Sequence, residues 1–176
     1  MAGTDRADIA EQIVAFGRNL RRARDRAGLT QAQLSSAAPL DRAAISRLEC
    51  GERAPDMATL LRLCAALGVK PGDLLREVGA GETVRGGPRY EDGAASDPAA
   101  LFGANLRWAR LRAEMSQERL ALDAKVDRAA ISVYENGGRE PNLRTVLKLA
   151  RRLEVRPGLL LRGIASSLDG NKTPRR

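Results

Sequence analysis

The sequence has no histidine, only two cysteines, and five aromatic residues: one Trp, two Tyr and two Phe. Each scarcity excludes something. Without histidine the commonest general base is missing. With Cys50 and Cys64 as the only thiols, one chain cannot assemble a tetrahedral zinc site from the usual nitrogen and sulfur ligands. No nucleophile–base pair, metal-ligand cluster or phosphate-cradling loop stands out either. We therefore expect no enzyme, no metal and no cofactor. The low cysteine usage fits a reducing compartment. No apolar run approaches the roughly 20 residues that span a bilayer, and Met1 to Phe16 mixes acids among its apolar residues instead of forming a signal core. These features predict a cytoplasmic protein with no membrane partner. Aromatics and β-branched runs are too sparse for a sheet, whereas abundant Leu and Ala suit short helices.

What is present is positive charge and a repeat. Thirty Lys and Arg residues against 22 Asp and Glu give a net charge of +8, and only four of the cations are lysine. Such a balance suits a polyanionic partner, either nucleic acid or an acidic membrane surface. Phe16-Gly17-Arg18-Asn19-Leu20-Arg21 returns as Phe102-Gly103-Ala104-Asn105-Leu106-Arg107, a shift of 86. The same shift carries Asp41-Arg42-Ala43-Ala44-Ile45-Ser46 onto Asp127-Arg128-Ala129-Ala130-Ile131-Ser132, and Pro71-Gly72 onto Pro157-Gly158. Phe16 to Arg76 aligns without a gap, and about half the positions are identical. Two copies are too few for a solenoid, which needs about three, so each copy must bury its own core.

The expected organisation is a first domain over 10–78, a linker over 79–97, a second domain over 98–165 and a disordered basic tail over 166–176. Glu77, Glu82, Glu91, Asp92 and Asp97 outnumber Arg85 and Arg89 in and around the linker, where Gly and Pro replace apolar periodicity. The positive charge therefore belongs to the two copies and the tail.

Within each copy the period is helical. Phe16, Leu20, Ala23 and Ala27 fall on one face of a first helix. Thr30 and Gln33 form a capping box for a short second helix through Ala37; the second copy keeps the cap as Ser116 but has Arg119 at the box position. Asp41 and Asp127 are N-cap candidates for a third helix, which turns Ile45 and Leu48, or Ile131 and Tyr134, inward and ends at Gly51 or Gly137. Pro55 and Pro141 are read as the opening of a fourth helix, and Pro71-Gly72-Asp73-Leu74-Leu75 as a short fifth.

Leu29-Thr30-Gln31-Ala32-Gln33-Leu34, Ile45-Ser46-Arg47-Leu48-Glu49-Cys50-Gly51, Pro55 and Leu67-Gly68-Val69 resemble the phage-repressor and Cro-like (XRE) helix-turn-helix family. Ser116-Gln117, Ile131-Ser132-Val133-Tyr134-Glu135-Asn136-Gly137 and Pro141 repeat the resemblance, and the two matches cover about two-thirds of the chain. The resemblance implies an all-α fold of two tandem five-helix lambda-repressor-like domains joined by a flexible linker. It implies that the third helix of each copy reads the major groove of double-stranded DNA. The base readers would then be Arg42, Ala43, Ser46 and Arg47 in the first copy and Arg128, Ala129, Ser132 and Val133 in the second. Arg42 and Arg128 have the fork that pairs with guanine O6 and N7, although a solvated arginine touching phosphate alone is the plainer alternative. Because Arg47 is replaced by Val133, the two half-sites are expected to be related but unequal. Gln31 and Gln117, with Arg53, Asn136 and Arg139, are the phosphate candidates; Cys50 stands where the second copy has Asn136. Arg24 with Glu49, and Arg110 with Glu135, match a family ion pair whose role is structural. The family has glycine at positive φ in the turn between the second and third helices. Here Pro39 and Lys125 stand there, so the first copy's turn is expected to differ locally.

Differences between the copies point to partners. Arg22, Asp25, Ser36 and Asp73 become Trp108, Leu111, Leu122 and Leu159, an apolar gain that suggests an interface, either a homodimer or intramolecular domain pairing. The leading expectation is a bacterial transcriptional regulator, a repressor since no sensor or activation segment is visible. The alternative is an antitoxin-like or bridging protein-interaction module that keeps the fold.

Overall fold

A computed structural model describes residues 2–79, 81, 82, 88 and 97–164, with side chains from Asp8 onward. Ten helices are described: α1 (Ala2–Arg26), α2 (Gln31–Ala37), α3 (Arg42–Glu49), α4 (Met57–Leu67) and α5 (Pro71–Leu74), then α6 (Pro98–Arg112), α7 (Gln117–Ala124), α8 (Arg128–Glu135), α9 (Leu143–Arg152) and α10 (Pro157–Leu160). The architecture is all-α, five helices per copy. The described residues hold two isolated β-bridges outside the helices. Phe16, Leu20, Leu34, Ile45, Leu60 and Leu74 are essentially inaccessible to solvent, as are Phe102, Leu106, Leu120, Ile131, Val146 and Leu160 in the second copy. Alanine and leucine supply most of this volume, which is why so few aromatics suffice.

The helix ends follow from their capping chemistry. Thr30 Oγ1 accepts the Gln33 N–H at 3.2 Å, while Gln33 Oε1 accepts the Thr30 N–H at 2.8 Å. Ser116 makes only the first of these bonds, to Arg119. Asp127 Oδ1 accepts the Ala129 N–H at 2.7 Å, whereas Asp41 occupies the N-cap of α3 without a side-chain capping bond. The fourth helices do not begin at proline. Asp56 and Asn142 are their N-caps, accepting from Thr59 and Thr145 at 2.7 and 2.9 Å, and each proline lies one residue further out. Asn19 and Asn105 hold the ends of α5 and α10, each donating to two carbonyls (Leu74 and Arg76, or Leu160 and Arg162).

The turn between α2 and α3 keeps one closing hydrogen bond in both copies and differs at its cap. Leu40 N–H donates to Ser35 O at 3.0 Å, and the matching Val126 N–H donates to Ala121 O at the same distance, so the two turns close alike. Lys125 adopts the left-handed region at φ 51°. α2 is accordingly capped by Ala38 at φ −102°, whereas α7 is capped by Lys125 in the left-handed region, the local difference that a proline at this position requires.

Gly17 and Gly103 let the first helix of each copy cross close to the end of the third. A Cβ at Gly17 would lie 2.6 Å from both the Leu48 and Glu49 carbonyl oxygens, and one at Gly103 would strike Tyr134 O. Backbone, not a yielding side chain, is the obstacle. Gly17→Ala or Gly103→Ala is therefore expected to destabilise its copy by about 1–3 kcal/mol, read as a lowered thermal midpoint.

The two copies meet across a local two-fold axis. Asp56 and Asn142, equivalent under the 86-residue shift, form an antiparallel bridge, with the Leu143 N–H donating to Pro55 O at 3.0 Å. The equivalent helices α5 and α10 pack together, and the equivalent Gly72 and Gly158 face each other, a Cβ on Gly158 lying in contact at 3.4 Å from Gly72 Cα. Contacts between identical positions of two like units are the signature of an isologous interface. Of the two pairings foreseen, the domains of one chain make this one with each other. The linker, expected to be flexible, is held at Glu82, whose N–H donates to Glu154 O at 2.9 Å and whose carbonyl accepts from Arg156 at 3.4 Å. Residues 80, 83–87 and 89–96 of the linker, and the tail at 166–176, lie outside the described residues.

One asymmetric feature strengthens the seam. The first helix begins well before Phe16, burying Ile9, Gln12 and Ile13, and it packs on α9 of the second copy, where Arg151 Nη1 meets Asp8 Oδ2 at 2.7 Å.

Candidate nucleic-acid interface

The site is built from an internal brace outward. Arg24 on α1 donates from Nε and Nη2 to the two Glu49 oxygens at 2.6 and 3.1 Å, and from Nη1 to Leu29 O at 2.9 Å. Gln31, at the start of α2, donates its Nε2 to Glu49 Oε2 at 2.9 Å. The second copy repeats these bonds: Arg110 to Glu135 at 2.6 and 2.8 Å, Arg110 to Met115 O at 2.8 Å, and Gln117 to Glu135 at 2.9 Å. The further bond from Arg24 Nη1 to Asp25 Oδ1 at 2.7 Å has no counterpart, since Leu111 stands at that position. Both ion pairs are buried, and together with the glutamines they tie three helices and the turn after the first into one fixed angle. Bidentate, fully satisfied geometry is what such a pair needs to offset its desolvation. Burial pushes the Glu49 carboxyl up, but hydrogen bonds from Arg24 and Gln31 and the charges of Arg24 and Arg21 outweigh it, holding the group below its ordinary value.

Gln31 and Gln117, expected at phosphate, are thus committed through one amide proton to the interior carboxylate. Each keeps a second N–H at the helix start. This link to the ion pair was not foreseen from sequence, where a polar residue at a helix N-terminus reads equally as a cap or a ligand.

On this brace the third helix of each copy presents its N-terminal half outward. Arg42, Ala43 and Arg47 are exposed and Ser46 is half-buried on α3. Arg128 and Ala129 are exposed, Ser132 is half-buried and Val133 is 41% exposed on α8. Ile45, Leu48, Ile131 and Tyr134 anchor the opposite faces. Arg53 and Asn136 are exposed beyond the helix ends. Arg139 stacks over the Tyr134 ring at 5.4 Å and donates to its hydroxyl at 3.2 Å.

The apolar positions gained by the second copy do not act as one surface. Leu159 is buried on α10, the helix that meets α5 across the two-fold axis. Trp108 is half-buried against the core with Arg112 over its ring at 5.8 Å. Leu111 and Leu122 remain 57% and 73% exposed. Of the four residues expected at an interface, Leu159 and part of Trp108 are buried within the chain, Leu159 on the helix that faces the first copy, while Leu111 and Leu122 stay in solvent. The residues that make the seam, Pro55, Asp56, Asn142, Gly72 and Gly158, were not foreseen as contacts, although their equivalence under the repeat was readable.

Among the described residues no group of three or more His, Cys, Asp or Glu side chains could hold a metal ion, and no helix is long and apolar enough to cross a membrane. Burial, then the charge of Asp73, pushes the Cys64 thiol up to about 12, while Cys50 is exposed at the end of α3.

Two family models, both described as helix-turn-helix, match separate parts of the chain, one over residues 15–78 and the other over 106–160. The HTH-type transcriptional regulator YqaE of Bacillus subtilis is 32% identical over 63 residues, covering 36% of this chain and 54% of that protein. The control protein C.BamHI of Bacillus amyloliquefaciens is 40% identical over 62 residues, covering 35% of this chain and 76% of that protein. The crystal structure of the restriction-modification controller protein C.AhdI from Aeromonas hydrophila is similar at 35% identity, covering 35% of this chain and 94% of that one with a TM-score of 0.35. The chain thus spans about half the length of the first of these relatives and three-quarters of the second. It belongs to the phage-repressor and Cro-like (XRE) helix-turn-helix family, with two copies of the domain in tandem.

Proposed function

We propose that this protein is a sequence-specific double-stranded DNA-binding transcriptional regulator, acting as a repressor, in which a single chain reads two half-sites. Each half-site is read in the major groove, one by α3 through Arg42, Ala43, Ser46 and Arg47, the other by α8 through Arg128, Ala129, Ser132 and Val133. The observation that carries this reading is the local two-fold axis, which relates two exposed helix N-termini, each led by an arginine. Duplex DNA carries the same symmetry. A two-fold protein therefore addresses half-sites about one helical turn, or 34 Å, apart, and joining the readers in one chain raises the effective concentration of the second once the first has docked. Gln31, Gln117, Arg53, Asn136 and Arg139 contact phosphate and set register. The protein is a cytoplasmic binding protein rather than an enzyme, and its repression is steric, by occupancy.

A second reading, an antitoxin-like or bridging module, is favoured by Leu111 and Leu122, exposed apolar side chains where the first copy has Asp25 and Ser36. Selection of duplexes from a random pool by the full chain separates the two. The expected result is one motif of two related, unequal half-sites, with affinity falling steeply as salt rises. Enrichment of no motif, or binding without salt dependence, would favour the second reading.

A further inference from the structure

The two reading heads differ in a way that neither the repeat nor the family match accounts for. Arg128, first residue of α8, donates from Nε to Glu118 Oε1 at 2.5 Å, and both side chains stand largely in solvent, at 64% and 60% exposure. Glu118 follows Gln117 in the first turn of α7. The equivalent position in the first copy is Ala32, and Arg42 makes no ion pair among the described residues. Hydrogen bonding to its own backbone N–H, then to Arg128, holds the Glu118 carboxyl below its ordinary range, so it is charged at neutral pH.

A carboxylate among the groups that must approach DNA opposes binding in general, because it faces the phosphates. Its compensation lies in geometry. An arginine carries five N–H donors in a planar fork. Using Nε on the protein side restrains the plane of the guanidinium and leaves the terminal Nη1 and Nη2 pair available, the edge that fits guanine O6 and N7 together. A fixed fork loses less freedom on docking and tolerates a wrong base less well than a mobile one.

Resting on the DNA-reading assignment above, we infer that Glu118 is a positioning residue for Arg128, making the half-site read by α8 the more stringent of the two at one guanine, at a cost in general DNA affinity. The first copy, with Ala32, reads its guanine through a mobile Arg42 and discriminates less.

The test is duplex binding by the full chain, scored at each half-site position and on a duplex lacking the motif. For Glu118→Ala, preference for guanine at the position read by Arg128 is expected to fall at least about fivefold. Binding to the motif-free duplex should tighten about two- to threefold, since one repelling charge is gone. Preferences at the half-site read by α3 should stay the same. Glu118→Gln keeps an oxygen acceptor for Nε while losing the charge, so it should retain the guanine preference within about twofold and still bind the motif-free duplex more tightly. Glu118 is exposed, and a thermal melt checks that both variants fold. An unchanged guanine preference in Glu118→Ala would overturn the inference, as would an equal loss at both half-sites. If the unsubstituted chain selects no motif at all, the DNA-reading assignment itself fails and takes this inference with it.

Discussion

Replacing Arg42 and Arg128 together by alanine is expected to weaken binding to the preferred duplex by about 30-fold or more, with little change in thermal stability. Each bidentate arginine–guanine contact contributes about 1–3 kcal/mol of discrimination, and the two sites are separate enough that the losses add. Both side chains are exposed, so their removal opens no cavity. The single variants should each relax preference at one half-site only. Affinity for unrelated duplexes should fall far less, because lysines and arginines elsewhere still neutralise phosphates. Selective capture by a folded double variant would show that α3 and α8 are not the readers.

Truncating Glu49 is expected to have the largest effect on stability. In Glu49→Ala the Arg24 guanidinium and the Gln31 amide both lose an acceptor in a site where neither reaches water freely. Removing one partner of a buried ion pair costs about 3–5 kcal/mol, and the loss here falls toward the lower end because the exposed Asp25 carboxylate stays 2.7 Å from Arg24 Nη1. Even so it is a large part of the roughly 5–15 kcal/mol that holds a typical domain folded. The first copy should unfold or loosen, and DNA binding would be lost without any reader being touched. Near-native unfolding of Glu49→Ala in urea would refute the brace. The same carboxylate sets an acid limit. Its pKa in the folded chain lies below the ordinary 4.5, so the stability it supplies is present above that value and is lost as pH falls through the folded-state pKa. Thermal midpoints should show no loss from this group between pH 7 and 5 and a decline below about 4.5.

Most of the fold could be read in advance because each unit is local and written twice. The capping box at Thr30 and Gln33, the inward Ile45 and Leu48, and the glycines ending the third helices depend on neighbours within four residues. What escaped depends on distance. Ile9, Ile13 and Phe16 share a helical face, a signal that extends the first helix backward, yet its burial needs the second copy's α9 as a partner. Pro55 and Pro141 looked like helix openers, and only the seam shows why Asp56 and Asn142 take that place. Pro39 excludes the left-handed cap that Lys125 supplies, so the first copy caps α2 at Ala38 while closing the turn with the same hydrogen bond. The exposed N-terminal residues of α3 and α8 were legible as a set, but the Glu118–Arg128 pair joins two helices ten positions apart, beyond any period a single element displays.

The most direct test of the account is the composition of the complex with a duplex carrying both selected half-sites, measured as mass in solution. A local two-fold axis within one chain predicts one 19.0 kDa chain per duplex, protection of both half-sites about 34 Å apart, and a sharp loss of affinity when either half-site is scrambled. Two chains per duplex, or undiminished binding to a duplex with only one half-site, would contradict it.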